Sequence, residues 1–444
     1  MEITIHDEVG GLRGHTHALM NKMVGPLCGL DKSISYLLRD RNGPRFYVAG
    51  GDLTGVHVLR NQHEPPKGFY HIGGCGIERQ ESMIRTLGET IERYTQFLGE
   101  IQYADQIVFE TYETMLMDEI PVIDFKAFNF FSDEQYKEKG FPYQPFSPTE
   151  PISWLKVESV SGEKKWVPAQ LFLVGYTIKD GERWIQAAVT TGSAAHVTKE
   201  KAARNALLEM IQLDTSMGHW YTDNVAQKII MDERTKAIQA IIARQFPASG
   251  PKPHFYWQPS PDLPGFTVAC ILKQKGKNPK FSIGQSCELK LQDAMYKALL
   301  EAVGVYHLAR LKIFELSADN PEALKNPSMI KDLDTNVAFY GIQGESELIQ
   351  KKFASTDMIK ASDLPKDYPD SYGLNDLIKA FTDANLELYE LDTTTVDAEQ
   401  LGFKSWRFWS PDVLTLCFPG TPNSKHKRFE VHGGFTHYNP HPYP

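Results

Sequence analysis

The chain has 444 residues, 41% hydrophobic and 23% charged, with 33 Gly and 27 Pro. That leaves room for a large core and excludes collagen, coiled coil and disorder. Its 47 Lys and Arg stand against 56 Asp and Glu, a net charge of −9, which argues against a protein that coats nucleic acid. No apolar run reaches the roughly 20 residues of a membrane helix, and the opening MEITIHDEVGG lacks the basic and apolar stretches of a signal peptide. The expectation is therefore a cytoplasmic protein with no membrane segment.

Five scattered cysteines, with no CxxC and no zinc-like spacing, fit a reducing compartment. Residues 1–70 read as the N-terminal part and residues 71–444 as the core of one integrated α/β domain, closed by a Pro-rich tail at 440–444.

Three segments resemble one another. The first is GCGIERQESMIRTLGETIERY, Gly74 to Tyr94. An apolar stripe at Ile84, Leu87, Ile91, Tyr94 and Leu98 predicts a helix with Glu89, Glu92 and Arg93 on the opposite face. After it, Phe141 to Pro168 reads as irregular structure and edge strands, and Trp184–Val189 as a strand. The second segment, Thr190 to Asp214, places Leu207, Met210 and Ile211 on the apolar side of a helix and Glu209 and Gln212 on the polar side. A strand at Phe266–Leu272 precedes the third segment, Ser282 to His307. Ser82, Ala202 and Ala294 each lie seven residues before Glu89, Glu209 and Glu301.

The repeated order reads as strand, small-residue loop, helix, used three times. Gly73-Gly74-Cys75-Gly76 and Thr190-Thr191-Gly192-Ser193 read as turns or as backbone cradles for phosphate. They are not P-loops, since no GxxxxGK[ST] occurs in the chain. Residues 321–397 read as a polar peripheral layer with a helix at Leu374–Ala384. The tail holds a β run at Val413–Phe418, a basic run at Lys425-His426-Lys427-Arg428, and the alternating prolines Pro440, Pro442 and Pro444.

Glu89 and Glu92, at i and i+3, can offer two oxygens to Mg²⁺, and Arg93 can neutralise phosphate. The plainer reading is a solvated face with a Glu–Arg pair four residues apart. Glu209 and Gln212 repeat the i,i+3 spacing. If the two polar faces meet, Glu89, Glu92 and Glu209 line one oxygen-rich pocket suited to hard cations that stay bound to nucleotide phosphates. In the third segment Ala302, Val303 and Gly304 follow Glu301, so the second ligand and the arginine are missing. Glu301 is left to accept a hydrogen bond at the site or to serve the structure alone.

These residues resemble the YcaO family. The run from Gly74-Cys75-Gly76 to Glu89-Thr90-Ile91-Glu92-Arg93-Tyr94 is similar to its GxG…ExxERY segment, and Thr190 to Asp214 is similar to its second acidic motif. Pro145–Ala169 resembles the segment between them. The terminal Pro-x-Pro-x-Pro resembles that of the members acting as peptide cyclodehydratases. The resemblance implies a YcaO-like α/β fold whose three units surround an ATP and Mg²⁺ site. By position, Glu89, Glu92, Glu209 and Gln212 would be magnesium ligands, Arg93 would contact phosphate, and Pro440, Pro442 and Pro444 would shape the active site.

The implied reaction is phosphorylation of a backbone amide in a precursor peptide, so that Cys, Ser or Thr closes to a thiazoline or oxazoline. Implied partners are that peptide, a protein related to ubiquitin-activating enzymes that recognises its leader, and a flavin dehydrogenase. A homodimer is the expected assembly. Thioamide formation and a non-catalytic peptide-binding scaffold are the alternatives. The chain departs from the family's pattern at Gln212 and Leu213, where an acid and an arginine are common. It departs again at Ala194, Val197 and Lys201, where some relatives carry polar nucleotide contacts, and at Gly304 and Tyr306, where a Gln and an Arg are often found.

Overall fold

The computed structural model describes residues 9–65 and 70–444. Three sheets organise them. Strands β1 (Asp31–Tyr36), β2 (Tyr47–Leu53) and β3 (His71–Gly76) form an antiparallel meander. A six-stranded sheet runs in the order β4 (Ile107–Glu110), β5 (Ile152–Ser159), β13 (Tyr389–Asp392), β14 (Lys404–Trp409), β7 (Ser193–His196), with β6 (Lys164–Pro168) also paired to β5. The third runs in the order β11 (Phe281–Glu288), β10 (Phe266–Lys273), β9 (Lys252–Gln258), β8 (Gln227–Ile230), β12 (Met358–Lys360).

Five helices frame the acidic residues and the proline tail: α1 (Val9–Met23), α2 (Arg79–Phe97), α3 (Lys199–Tyr221), α4 (Leu291–Asp319) and α5 (Leu333–Gln343). Each sheet ends on a strand that runs directly into a long helix: β3 into α2, β7 into α3, β11 into α4. The helix starts are secured in different ways. Thr198 caps α3 by accepting from the Lys201 N–H. α4 opens after Lys290, which cannot cap, and the carboxylate of the distant Asp367 accepts the Leu291 N–H at 3.0 Å instead.

The apolar stripes face where their periodicity directs them. Leu87 and Ile91 of α2 pack with Leu19 and Met23 of α1, and Leu207 and Ile211 of α3 pack with Phe408 of β14. β10 is buried on both faces. Val268, Cys270 and Leu272 meet Leu291, Met295 and Leu299 of α4, while Ala269 and Ile271 meet Trp220 and Tyr443. A buried ion-pair network ties the chain's last part to α3. Arg428 donates to Asp214 (Nη2 to Oδ2, 2.8 Å) and to Asp262 (Nη1 to Oδ2, 2.7 Å), and Asp214 also accepts the Leu414 N–H at 3.0 Å. Burial works to raise the Asp214 pKa, but the hydrogen bonds and charges of His432 and Arg428 outweigh it and hold the carboxyl at about 2.

The mixed α/β class read from the sequence holds, and the helix expected at Leu374–Ala384 spans Leu374–Asp383. The local order within the units differs. The small-residue segments read as loops are the strands themselves: Gly73, Gly74 and Cys75 lie in β3, and Ser282 to Glu288 lie in β11. Glycine serves close packing here. A Cβ on Gly74 would lie 2.5 Å from the Ser82 carbonyl oxygen and the Thr86 nitrogen, and one on Gly284 would meet the Ala298 and Ala302 backbone.

Trp184–Val189 and Val413–Phe418 belong to none of the sheets. Side chains take the hydrogen bonds a neighbouring strand would supply: Gln170 accepts the Ile185 N–H at 2.7 Å, and Thr191 accepts the Leu416 N–H at 3.2 Å. Of the basic run, only Arg428 is drawn into the interior network, while His426 is buried against Phe130. Cys75 is buried, and burial pushes its thiol up, which removes it as a nucleophile. Among the described residues no helix is long and apolar enough to cross a membrane.

Candidate active site

Two of the three strand–helix units close in the same way. In the first, the Gly73 N–H at the sheet edge donates to Glu89 Oε2 at 3.0 Å, sixteen residues on. In the third, the Gln285 N–H donates to Glu301 Oε2 across the same interval. The second unit breaks the pattern. Ser193 stands sixteen residues before Glu209, but its hydroxyl donates to Glu92 Oε1 at 2.9 Å. That bond joins β7 to α2, and the charge of Glu92 in turn acts on Glu209 of α3.

The electrostatics show how near the acids are. Burial pushes the Glu92 carboxyl up to about 7; Arg93 and the Ser193 hydroxyl pull it back, and Glu89 adds to the rise. Glu209 is held well above the usual carboxylate range by burial and then by the charge of Glu92, with Glu301 adding to it. Glu301 is pushed up to about 7, first by burial, with relief from the Gln285 N–H and a further rise from Glu89. Four carboxylates from three helices are thus near enough to repel one another.

The compensating cations are few. Arg93 stands 3.6 Å from Glu89, and Arg407 of β14 is close enough to lower both Glu92 and Glu209. Gln212, one turn beyond Glu209, is half-buried on the same helix. Among the described residues no three His, Cys, Asp or Glu side chains close on one point as a metal cage. The arrangement is an acidic lining with surplus negative charge. It fits a hard dication that takes one or two carboxylates from the protein and the rest of its oxygens from phosphate and water.

The proline tail is docked. His441 and Pro442 are buried, and Pro440 and Pro444 are half-buried. Tyr340 of α5 donates to the Pro440 carbonyl at 2.5 Å, Asn336 donates to the His441 carbonyl at 2.6 Å, and Trp220 of α3 donates to the Asn439 carbonyl at 3.1 Å. The prolines fix the backbone course, and the side chain that reaches inward is Tyr443. Its hydroxyl accepts from Gln258 at 3.0 Å and lies beside Gln285, whose own N–H holds Glu301. The tail therefore stands one residue from the acidic lining.

Sequence reasoning missed Ser193, Gln285, Tyr443 and Arg407 as site residues. It also missed Asp31, which receives the Thr90 hydroxyl at 2.7 Å and is pushed up to about 7 by burial, with Glu89 and Asp52 adding to the rise. A lone arginine within the apolar run Trp406-Arg407-Phe408-Trp409 was the available signal for Arg407.

No curated protein sequence matches the chain. Among solved structures, a heterocyclase in complex with substrate and cofactor superposes with a TM-score of 0.72 at 17% identity, covering 97% of this chain and 57% of that one. The chain thus spans little more than half the length of that heterocyclase. The Escherichia coli microcin synthetase McbBCD complex matches with a TM-score of 0.63 at 16% identity, covering 95% of this chain and 99% of that one. The YcaO protein of Methanopyrus kandleri, bound with AMPPCP and Mg²⁺, matches with a TM-score of 0.59 at 16% identity, covering 97% and 95%. These likenesses establish the fold. The profile of the YcaO cyclodehydratases, a family described as binding ATP and Mg²⁺, matches residues 73–414. That span runs from the glycine that holds Glu89 to the leucine that binds Asp214, and the chain belongs to the YcaO family.

Proposed function

We propose that the chain is the cyclodehydratase subunit of a peptide-modifying system, transferring the terminal phosphoryl group of ATP to a backbone amide oxygen of a precursor peptide. The carrying observation is the convergence of Glu89, Glu92, Glu209 and Glu301 from three matching units, with Arg93 and Arg407 as the cations beside them. When bound, Mg²⁺ supplies charge neutralisation and alignment of the phosphates. Glu89, Glu92 and Glu209, with Gln212 one turn on, are the residues that would hold it. Arg93 is placed to take phosphate charge.

An amide oxygen is a poor leaving group, and phosphorylation makes it a good one. The neighbouring thiol or hydroxyl then adds to the amide carbon. Phosphate departs with the former amide oxygen, and the side-chain and amide protons are released. The product is a thiazoline or oxazoline with ADP and phosphate. Positioning and charge neutralisation are the protein's contribution. The docked tail, ending at Tyr443 and Pro444, suits the exclusion of water from the activated amide.

A partner related to ubiquitin-activating enzymes would deliver the peptide, and a flavin dehydrogenase could follow. The likeness to a component of a multi-protein synthetase, also solved with pro-MccB17 bound, supports the delivered-peptide reading. The test is mass spectrometry of a Cys-, Ser- and Thr-containing precursor incubated with ATP, Mg²⁺, the chain and its partner. Loss of one water per ring, abolished by Glu89→Gln, is expected. Replacement of oxygen by sulfur would instead assign thioamide formation, and an unmodified peptide would leave the scaffold reading.

A further inference from the structure

Arg407 is a buried cation with unspent donors. It is 2% exposed, in the middle of β14. Its Nη2 donates to the Val189 carbonyl at 2.8 Å, and its guanidinium stacks 5.6 Å from the centre of the Phe172 ring. Its Nε and Nη1 are buried without any hydrogen-bond partner among the described residues. A charged donor left in that state is costly, and native proteins keep one where something else completes it.

The direction it faces is fixed by the sheet. Arg407 pairs in register with Ser193 of β7. Directly opposed residues of antiparallel strands send their side chains to the same face. Ser193 uses that face to bond Glu92. Glu209 and Glu92 are the two charges that act on Arg407, and its unpartnered Nε and Nη1 bond neither of them. An arginine serving only to neutralise these acids would bond them directly. Arg407 is instead tethered to Val189 at one nitrogen and set back from the carboxylates, which leaves an interval between acid and base. It also lines a small cavity with Gln186, Trp409, Asn423 and His426.

From this arrangement we infer that Arg407 is an anion-binding residue of the active site, its free Nε and Nη1 taking non-bridging oxygens of the transferred γ-phosphoryl group. The inference rests on the nucleotide reading of the proposed function. In such a site the carboxylates would hold the dication, and the guanidinium would take phosphoryl oxygens left free by it. As the γ-phosphorus bond to the ADP oxygen breaks and the bond to the amide oxygen forms, the charge on those oxygens stays within reach of the same two donors. Arg93, on the solvent side and paired with Glu89, is left for the rest of the phosphate chain.

The test compares Mg²⁺-dependent binding of AMPPCP, which carries a γ-phosphoryl group, with that of ADP, which does not. Calorimetry on the wild type, Arg407→Gln and Arg407→Lys reads both. The expected result is a loss of about ten- to hundredfold in AMPPCP affinity for Arg407→Gln, a smaller loss for Arg407→Lys, and ADP affinity within about twofold of wild type for both. Equal losses for the two nucleotides, or none, overturn the inference and leave Arg407 a structural residue. Wild type that binds neither nucleotide overturns the nucleotide reading and this inference with it. Should both variants fail to fold, a structure of the wild type with ADP, Mg²⁺ and beryllium fluoride decides. Fluoride within hydrogen-bond reach of Arg407 is expected, and a guanidinium still turned away from it refutes the assignment.

Discussion

Glu92→Gln should stabilise the empty protein while disabling it. Glu92 sits where burial and the Glu89 charge oppose ionisation, and its carboxyl titrates at about 7 instead of near 4.5. Holding it ionised at pH 8 therefore costs on the order of 3 kcal/mol. The side chain is partly solvated, and its charge also steadies Arg93 and Arg407, so about 1–2 kcal/mol is the recoverable part. Glutamine keeps an oxygen for the Ser193 hydroxyl and removes the charge.

The sign follows from proton binding. Between pH 4.5 and about 7 the folded protein holds a proton that the unfolded chain has lost, so wild-type stability falls as pH rises across that window and is level above it. The variant lacks this loss. Thermal unfolding without ligands should therefore show Glu92→Gln above wild type by roughly 1–2 °C at pH 8, and close to it at pH 5. Adding Mg²⁺ and AMPPCP should raise the wild type and leave the variant nearly unmoved. A variant less stable than wild type at pH 8, or an equal difference at both pH values, would refute the reasoning.

Because Glu92 and Glu301 both take up protons as pH falls through about 7, Mg²⁺-dependent AMPPCP affinity should weaken by at least about tenfold from pH 8 to pH 6; a flat profile in calorimetry would contradict the carboxylate assignment. Arg428→Met leaves Asp214 buried without its main partner and should cost about 3–5 kcal/mol in denaturant unfolding. Asp214 is held at about 2 in the folded state, below its ordinary 3.8, so its contribution exists above pH 3.8 and fades as pH drops through 2. Acid unfolding of Arg428→Met should accordingly begin at a higher pH than in wild type. Removing residues 440–444 strips the partners of Tyr340, Asn336 and Gln258. It should lower peptide turnover at least about tenfold while changing AMPPCP affinity by less than about threefold. The reverse split would place the tail at the nucleotide.

What could be read in advance was periodic. The 3.6-residue pattern located α2, α3 and α4, and the shared phase of Glu89, Glu209 and Glu301 announced that three helices repeat one geometry. The strands before them were illegible for a physical reason. Gly73-Gly74-Cys75-Gly76 has no β-branched residue and reads as a turn, yet Gly74 is in β3 because the helix backbone passes where a Cβ would sit. Trp184–Val189 has the composition of a strand but spends its donors on side chains such as Gln170. Arg407 was hidden because its meaning lies in a cross-strand partner, Ser193, more than two hundred residues away in sequence. Tyr443 was passed over for the prolines around it, since periodicity says nothing about where a tail docks.

The central claim is that acidic helices from separate parts of the chain hold one magnesium–nucleotide complex. Calorimetric titration of AMPPCP into the full chain, with and without Mg²⁺, on wild type and on Glu209→Gln, tests it most directly. Glu209 is on α3 and shares no sequence segment with Glu89 or Glu92. Binding that requires both Mg²⁺ and Glu209 is the predicted result. Binding of equal strength without the metal, or unchanged in Glu209→Gln, would contradict the account.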